Sequence, residues 1–271
     1  MDDVNVRKSP YLGHMGEKMK EKLYNIPVND AVNAGSECPI CYIERAIEQD
    51  MMDFVLGSGS SYMESDVREQ TDKAGFCRVH FKKMYDYGNT LGNAWIMKTH
   101  MKRMNEEAAR AFDMYKPGKN GLTALFKKEE EGTNSVTEWV KSRESSCFIC
   151  NGLKEHYDRY LKTFFEMYDK DPSFKERLIN GKGFCLPHFS DLLEYAGKNI
   201  PENRQQAFAD EMIPLMKKQM EKLYGDVSWL VEKFDYRNKD ADWGDSKEAL
   251  QNCMQRLKGG FPADPAYKAK K

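Results

Sequence analysis

Two stretches of this chain are copies of one another. Cys38-Pro39-Ile40-Cys41 has Gly75-Phe76-Cys77-Arg78-Val79-His80-Phe81 behind it, and Cys147-Phe148-Ile149-Cys150 has Gly183-Phe184-Cys185-Leu186-Pro187-His188-Phe189 behind it. Cys77 follows Cys41 by 36 residues, and Cys185 follows Cys150 by 35. Each copy offers three thiols and one imidazole, the ligand set of a tetrahedral Cys3His metal site. A lone C-x2-C pair also reads as a redox pair or an accident. Two pairs, each with a C-x2-H at nearly the same distance and with the same Gly-Phe and Phe flanks, read as one duplicated metal site.

The expected ligands are Cys38, Cys41, Cys77 and His80 in the first copy, and Cys147, Cys150, Cys185 and His188 in the second. Residues three apart share a helix face, so both members of each half-site can point at one ion from a first helical turn. The unpaired N–H groups and partial positive charge of a helix N-terminus also favour thiolate over thiol. The half-sites are therefore expected at helix starts, with Phe76, Phe81, Phe184 and Phe189 packed around the ions. Local closure, each C-x2-C with the C-x2-H behind it, is the expected pairing, with pairing of half-sites across the two repeats the less favoured alternative. Zinc suits a mixed thiolate–imidazole tetrahedron, two Zn2+ in all, with an iron–sulfur cluster as the alternative. Four protein ligands close the coordination sphere, which favours a structural ion over a catalytic one.

Outward from the motifs, the chain reads as helices separated by turn signals, with no alternating β-branched runs. The fold class expected is all-α, built from two tandem pseudo-symmetric repeats, each stapled by its own Cys3His site. An arm and short helix occupy 1–35, with that helix over 16–25 ending before Ile26-Pro27. Repeat 1 covers 36–118, a linker 119–144, repeat 2 145–233, and an aromatic segment, helix and tail 234–271. Asp66 with Glu69, and Ser173 with Glu176, are spaced as capping boxes. A long helix over 91–115 carries a stripe of Ala94, Met97, Met101, Met104, Ala108, Ala111 and Tyr115, expected to be core. A second, from about 201 to 223, buries Phe208, Met212, Leu215 and Met216.

Composition narrows the function. Forty-two Lys and Arg stand against 43 Asp and Glu among 271 residues. That balance disfavours nucleic acid, which calls for a basic surplus on one face. No apolar run reaches the roughly 18 residues of a membrane helix. Thiols poised for metal, with no apolar leader at the N-terminus, point to a reducing cytoplasm. The segment Phe234-Asp235-Tyr236-Arg237-Asn238-Lys239-Asp240-Ala241-Asp242-Trp243-Gly244-Asp245-Ser246 breaks helical periodicity with aromatics, carboxylates and an arginine. Asp235, Tyr236, Arg237, Asp242 and Trp243 are candidates for a ligand or partner site, or for a packed strap.

The doubled CPIC/CFIC and GFCxxHF motifs, with the late FDYRN…WGDSKEAL segment, resemble a family of uncharacterised bacterial proteins known only as a domain of unknown function. The likeness spans about 35–258 and implies a bacterial cytosolic protein with two metal sites. It implies no activity and no catalytic residues. The expected function is a zinc-binding helical interaction or adaptor protein with an unknown protein partner. The alternative is a metal- or thiol-dependent enzyme or redox sensor.

Overall fold

The computed structural model describes residues 17–59, 61–116 and 134–268. The start of the expected arm, 1–16, and 119–133 of the expected linker lie outside them. Among the described residues the chain is helical and without strands: α1 (Glu17–Asn33), α2 (Pro39–Leu56), α3 (Ser65–Ala74), α4 (Arg78–Tyr87), α5 (Thr90–Asp113), α6 (Ser135–Glu144), α7 (Phe148–Lys170), α8 (Pro172–Ile179), α9 (Leu186–Asn199), α10 (Glu202–Glu232) and α11 (Ala249–Lys258).

The chain forms two compact units, and each draws on both repeats. The first takes the described residues up to Arg45 together with Tyr157–Ala263; the second takes Ala46–His156 and the tail from Asp264. In the first unit the core is aromatic. Phe164 packs edge-on against Phe174, Phe184 and Phe208, with ring centroids 5.7–6.3 Å apart. Leu192 and Met212 are fully buried in the same unit. Edge-to-face pairs add about 1 kcal/mol each beyond the area they bury. In the second unit Met52, Val55 and Leu56 of α2 join Phe76, Met84, Ile96 and Ile149 in one buried cluster.

Several local expectations shift. α1 runs through Pro27 instead of stopping before it. A proline inside a helix costs on the order of 3 kcal/mol; the complete burial of Val28 and Ala31 just beyond it offsets that. Neither capping box forms. Glu64 precedes α3 with no side-chain cap, whereas Asp171 caps α8 by accepting from Ser173 and Phe174 N–H, with Pro172 in the first turn as expected. On α5 the buried positions are Gly92, Ile96, His100 and Ala111. Of the expected stripe Ala111 is buried and Met97 packs against the core cluster, but Met101 is 53% exposed, so the stripe is core only in part. α10 buries Phe208, Met212, Leu215 and Met216 as expected but continues to Glu232.

Candidate metal centres

Each half-site lies at a helix start. Cys77 and Cys185 are the N-cap residues of α4 and α9. Cys38 and Cys147 immediately precede α2 and α7. In all four cases the carbonyl of this first cysteine accepts the N–H four residues on: Tyr42, Phe81, Asn151 and Phe189. The second ligand then falls on the first turn. Gly75 and Gly183, two residues before Cys77 and Cys185, have φ of 65° and 79°, the left-handed region that glycine enters without strain. The turn after Gly75 is pinned by Phe148 N–H donating to the Gly75 carbonyl at 2.8 Å.

The eight residues assemble into two groups of four, but across the repeats. Cys38 and Cys41 meet Cys185 and His188; Cys77 and His80 meet Cys147 and Cys150. The expectation that each repeat is stapled by its own site is therefore corrected. The reason is reach. At 1.5 Å per residue α2 carries the chain about 23 Å beyond Cys41, whereas α3 is only about 15 Å long. α7 and the much shorter α8 repeat the mismatch. Neither second helix by itself is long enough to carry its C-x2-H the whole way back to the C-x2-C of its own repeat.

Within each group the four ligand atoms lie within 4.8 Å of one another. His188 Nδ1 is 3.4 Å from the Cys38 and Cys41 sulfurs and 3.2 Å from that of Cys185. His80 Nδ1 is 3.2, 3.3 and 3.4 Å from those of Cys77, Cys147 and Cys150. The Cys41–Cys185 and Cys77–Cys150 sulfurs are 3.7 and 3.9 Å apart. A tetrahedral ion with bonds of about 2.3 Å to sulfur and about 2.0 Å to nitrogen sets edges of roughly 3.8 Å and 3.5 Å. Both groups fit a single ion.

Sequence reading missed the residues behind the ligands. His188 Nε2 is 3.0 Å from Glu44, and His80 Nε2 is 2.7 Å from Glu48. A carboxylate on the far nitrogen orients the ring and raises its basicity as a ligand. Lys83 Nζ reaches Glu48 at 2.5 Å, and the buried Tyr267 hydroxyl donates to the same carboxylate. Glu44 and Glu48 follow Cys41 by one and two helical turns, which was a usable signal. The second repeat has Leu153 and Tyr157 at the matching places, so comparing the repeats hid it. Near the first group, Gly259 ends α11 at a φ of 73° that favours glycine, with its Cα side facing the sulfurs: a Cβ there would stand in ordinary contact, 3.5 Å from Cys185 and 3.7 Å from Cys41. Arg256, 1% exposed, pairs with Glu37 at 2.7 Å and donates to the carbonyls of Lys182 and Phe184, which fixes the turn leading into Cys185.

Charge also fits a cation. Burial raises Cys147, but the hydrogen bond with His80 and the backbone donors prevail and hold it down to about 6. Burial and the charge on Cys147 push Cys150 up to about 12. In the first group, hydrogen bonds with Cys185 and Cys38 hold Cys41 far below the ordinary thiol range, while burial raises Cys38 well above it. Cys41 and Cys147 are thus held toward thiolate, while Cys38, Cys150 and Cys185 are pushed up and would ionise only against a nearby positive charge.

The groups differ in exposure. All four ligands of the first are buried; in the second Cys77 is half-buried and Cys150 exposed. Phe76 and Phe184 are buried beside the half-sites, whereas Phe81 is 37% exposed.

The late segment joins neither group. Asp235 opens a 3-10 turn over Tyr236–Asn238 and pairs with Arg237 at 2.6 Å. The Asp242 carbonyl accepts from Trp229 Nε1 at 2.9 Å. Lys233, 5% exposed, donates to the carbonyls of Asn238, Lys239 and Ala241 and lies 4.9 Å from the Trp243 ring centroid. The segment is a strap wound around one ammonium, with Tyr236 82% exposed at its surface. Elsewhere His100 is buried and its Nδ1 meets the Asp72 carbonyl at 3.2 Å, and the Cys253 thiol faces the Leu223 carbonyl at 3.8 Å. No described helix is long and apolar enough to cross a membrane.

No curated protein and no solved structure matches this chain. The chain belongs to the family of unknown function DUF6062, which matches it over residues 19–264.

Proposed function

We propose that this protein binds two zinc ions as structural staples and serves as a helical interaction or adaptor protein of the bacterial cytoplasm. The observation that carries the reading is the pair of four-atom groups at tetrahedral spacing, each with its histidine braced by a glutamate. A multi-iron cluster binds its thiolates through separate irons, so its ligand atoms stand apart across the cluster. Four atoms within 4.8 Å favour one ion. Zinc is the divalent ion best matched to three sulfurs and one nitrogen. The adaptor role is supported by closed ligand sets, which leave an ion no open position for substrate. The test is elemental analysis and a visible spectrum on protein purified anaerobically without chelator. Two zinc per chain and no colour are expected; a metal-free or coloured protein overturns the reading.

A second reading, a thiol-reactive site or redox sensor, is favoured by one observation: Cys150 is exposed. It predicts that peroxide ejects the second group's ion while activity or partner binding changes with it. Loss of the ion with no such change counts against it.

A further inference from the structure

The second metal group is the more exposed of the two, yet the carboxylate behind its histidine is covered. Cys150 is exposed and Cys77 half-buried, whereas Glu48 is only 11% exposed. The first group is the reverse, with four buried ligands and a Glu44 side chain 44% exposed. Part of the cover over Glu48 is the C-terminal tail. From Asp264 onward the tail belongs to the same compact unit as Glu48, His80 and the second group.

Tyr267 is 4% exposed and lies in the buried cluster with Phe76, Met84, Cys147 and Ile149. Its hydroxyl donates to Glu48 Oε2, while Glu48 Oε1 meets His80 Nε2 at 2.7 Å and Lys83 Nζ at 2.5 Å. Lys83 Nζ also stands 5.2 Å from the Tyr267 ring centroid. One residue further along, Gln49 Nε2 donates to the Lys268 carbonyl at 3.0 Å. Two successive tail residues thus meet two successive residues of α2, each pair 219 positions apart in the chain.

Packing alone would ask for a ring here and no hydroxyl. A buried phenol without a partner is costly, so phenylalanine would fill the same place with nothing left to satisfy. The Tyr267 hydroxyl is aimed at the one carboxylate that orients His80. Both oxygens of Glu48 are engaged, one by the tail and one by α4, which fixes the plane of the carboxylate. That in turn fixes the ring whose Nδ1 faces the three sulfurs.

We propose that Tyr267 is a positioning residue for the second metal centre, acting through Glu48 on His80, and that the C-terminal tail is a strap that slows loss of the ion from that centre alone. The proposal rests on the reading of the second group as a metal site. A chelator reaches the ion past the exposed Cys150, and the strap keeps His80 in place as it does.

The test is zinc release to a chromogenic chelator from the full chain in two backgrounds. Cys38→Ser leaves the second group whole, and Cys147→Ser leaves the first; circular dichroism checks helix content in every variant. Tyr267→Phe speeds release by about tenfold in the Cys38→Ser background, the lower end of what partners behind a ligand contribute. It leaves release unchanged in the Cys147→Ser background. With Glu48→Ala also present, Tyr267→Phe has no further effect. With Co2+ in place of zinc, Tyr267→Phe shifts the visible bands of the second centre. Unchanged release in the Cys38→Ser background, equal acceleration in both backgrounds, or an effect that persists without Glu48 overturns the proposal and leaves the metal reading standing. A chain that takes up no zinc overturns both.

Discussion

Replacing Cys38 with serine tests the crossed pairing directly. With one of the first group's four candidate ligands gone, the proposed metal content of two per chain should fall to one. Cys41 and Cys185 then become free thiols, joining Cys253, which stands outside both groups. Cys77 and Cys147 remain protected in the second group. Closure within repeats makes a different forecast from the same variant, with Cys77 freed and Cys185 protected. The energetic side follows from chain length. Cys41 and Cys185 are 144 residues apart, against 73 for Cys77 and Cys150. Each doubling of a closed loop adds about 0.6 kcal/mol of constraint on the unfolded chain. Cys38→Ser should thus destabilise by about 0.6 kcal/mol more than Cys147→Ser, beyond the loss of one ion common to both. The assay is a short pulse of N-ethylmaleimide read by peptide mass spectrometry, alongside metal analysis and urea unfolding. Labelling of Cys77 with Cys185 protected refutes the crossed geometry.

Other outcomes follow from the same structure. Because Cys150 is exposed while every ligand of the first group is buried, the second group should release its ion to a chelator at least about tenfold faster and its Cys150 should be alkylated first; stopped-flow release with a chromogenic chelator resolves the two phases. Glu44→Gln and Glu48→Gln should each weaken one ion by about 10- to 100-fold while leaving the other unchanged, read by competition titration. Arg256→Met removes a buried ion pair and two carbonyl contacts, and should cost about 3–5 kcal/mol in urea unfolding; Lys182, 3.0 Å from Glu37, keeps the orphaned carboxylate from raising the cost further. Glu107, held below the ordinary carboxylate range against burial by Trp139, Arg103 and Arg143, contributes stability that is present above the ordinary glutamate pKa and fades as pH falls through the lowered one. Glu107→Gln should therefore cost about 1 kcal/mol at pH 7 and nothing in strong acid, measured by unfolding at both.

The helical class, the ligand residues and their place at helix starts were all legible in the sequence. They depend on local chemistry: a C-x2-C or C-x2-H pair on one first turn, a glycine at positive φ two residues earlier, and turn residues between periodic segments. Helix ends were less legible. Pro27 reads as a stop, and only the burial of Val28 and Ala31 carries α1 past it. On α5 the methionines mark a stripe one step away from the face that Ile96 and His100 bury, because apolar spacing alone does not say which of two neighbouring stripes meets the core.

By itself the sequence determined which eight side chains could bind metal and that they form two sets. The tertiary structure alone decided how the sets are drawn. Pairing depends on where the ends of α2 and α7 lie in space, and the α3 and α8 that follow are too short to retrace them. Glu44, Glu48 and Gly259 belong to the same lesson: each meets a ligand far away along the chain. Spacing along a helix is written in the residues; proximity between helices is set by packing.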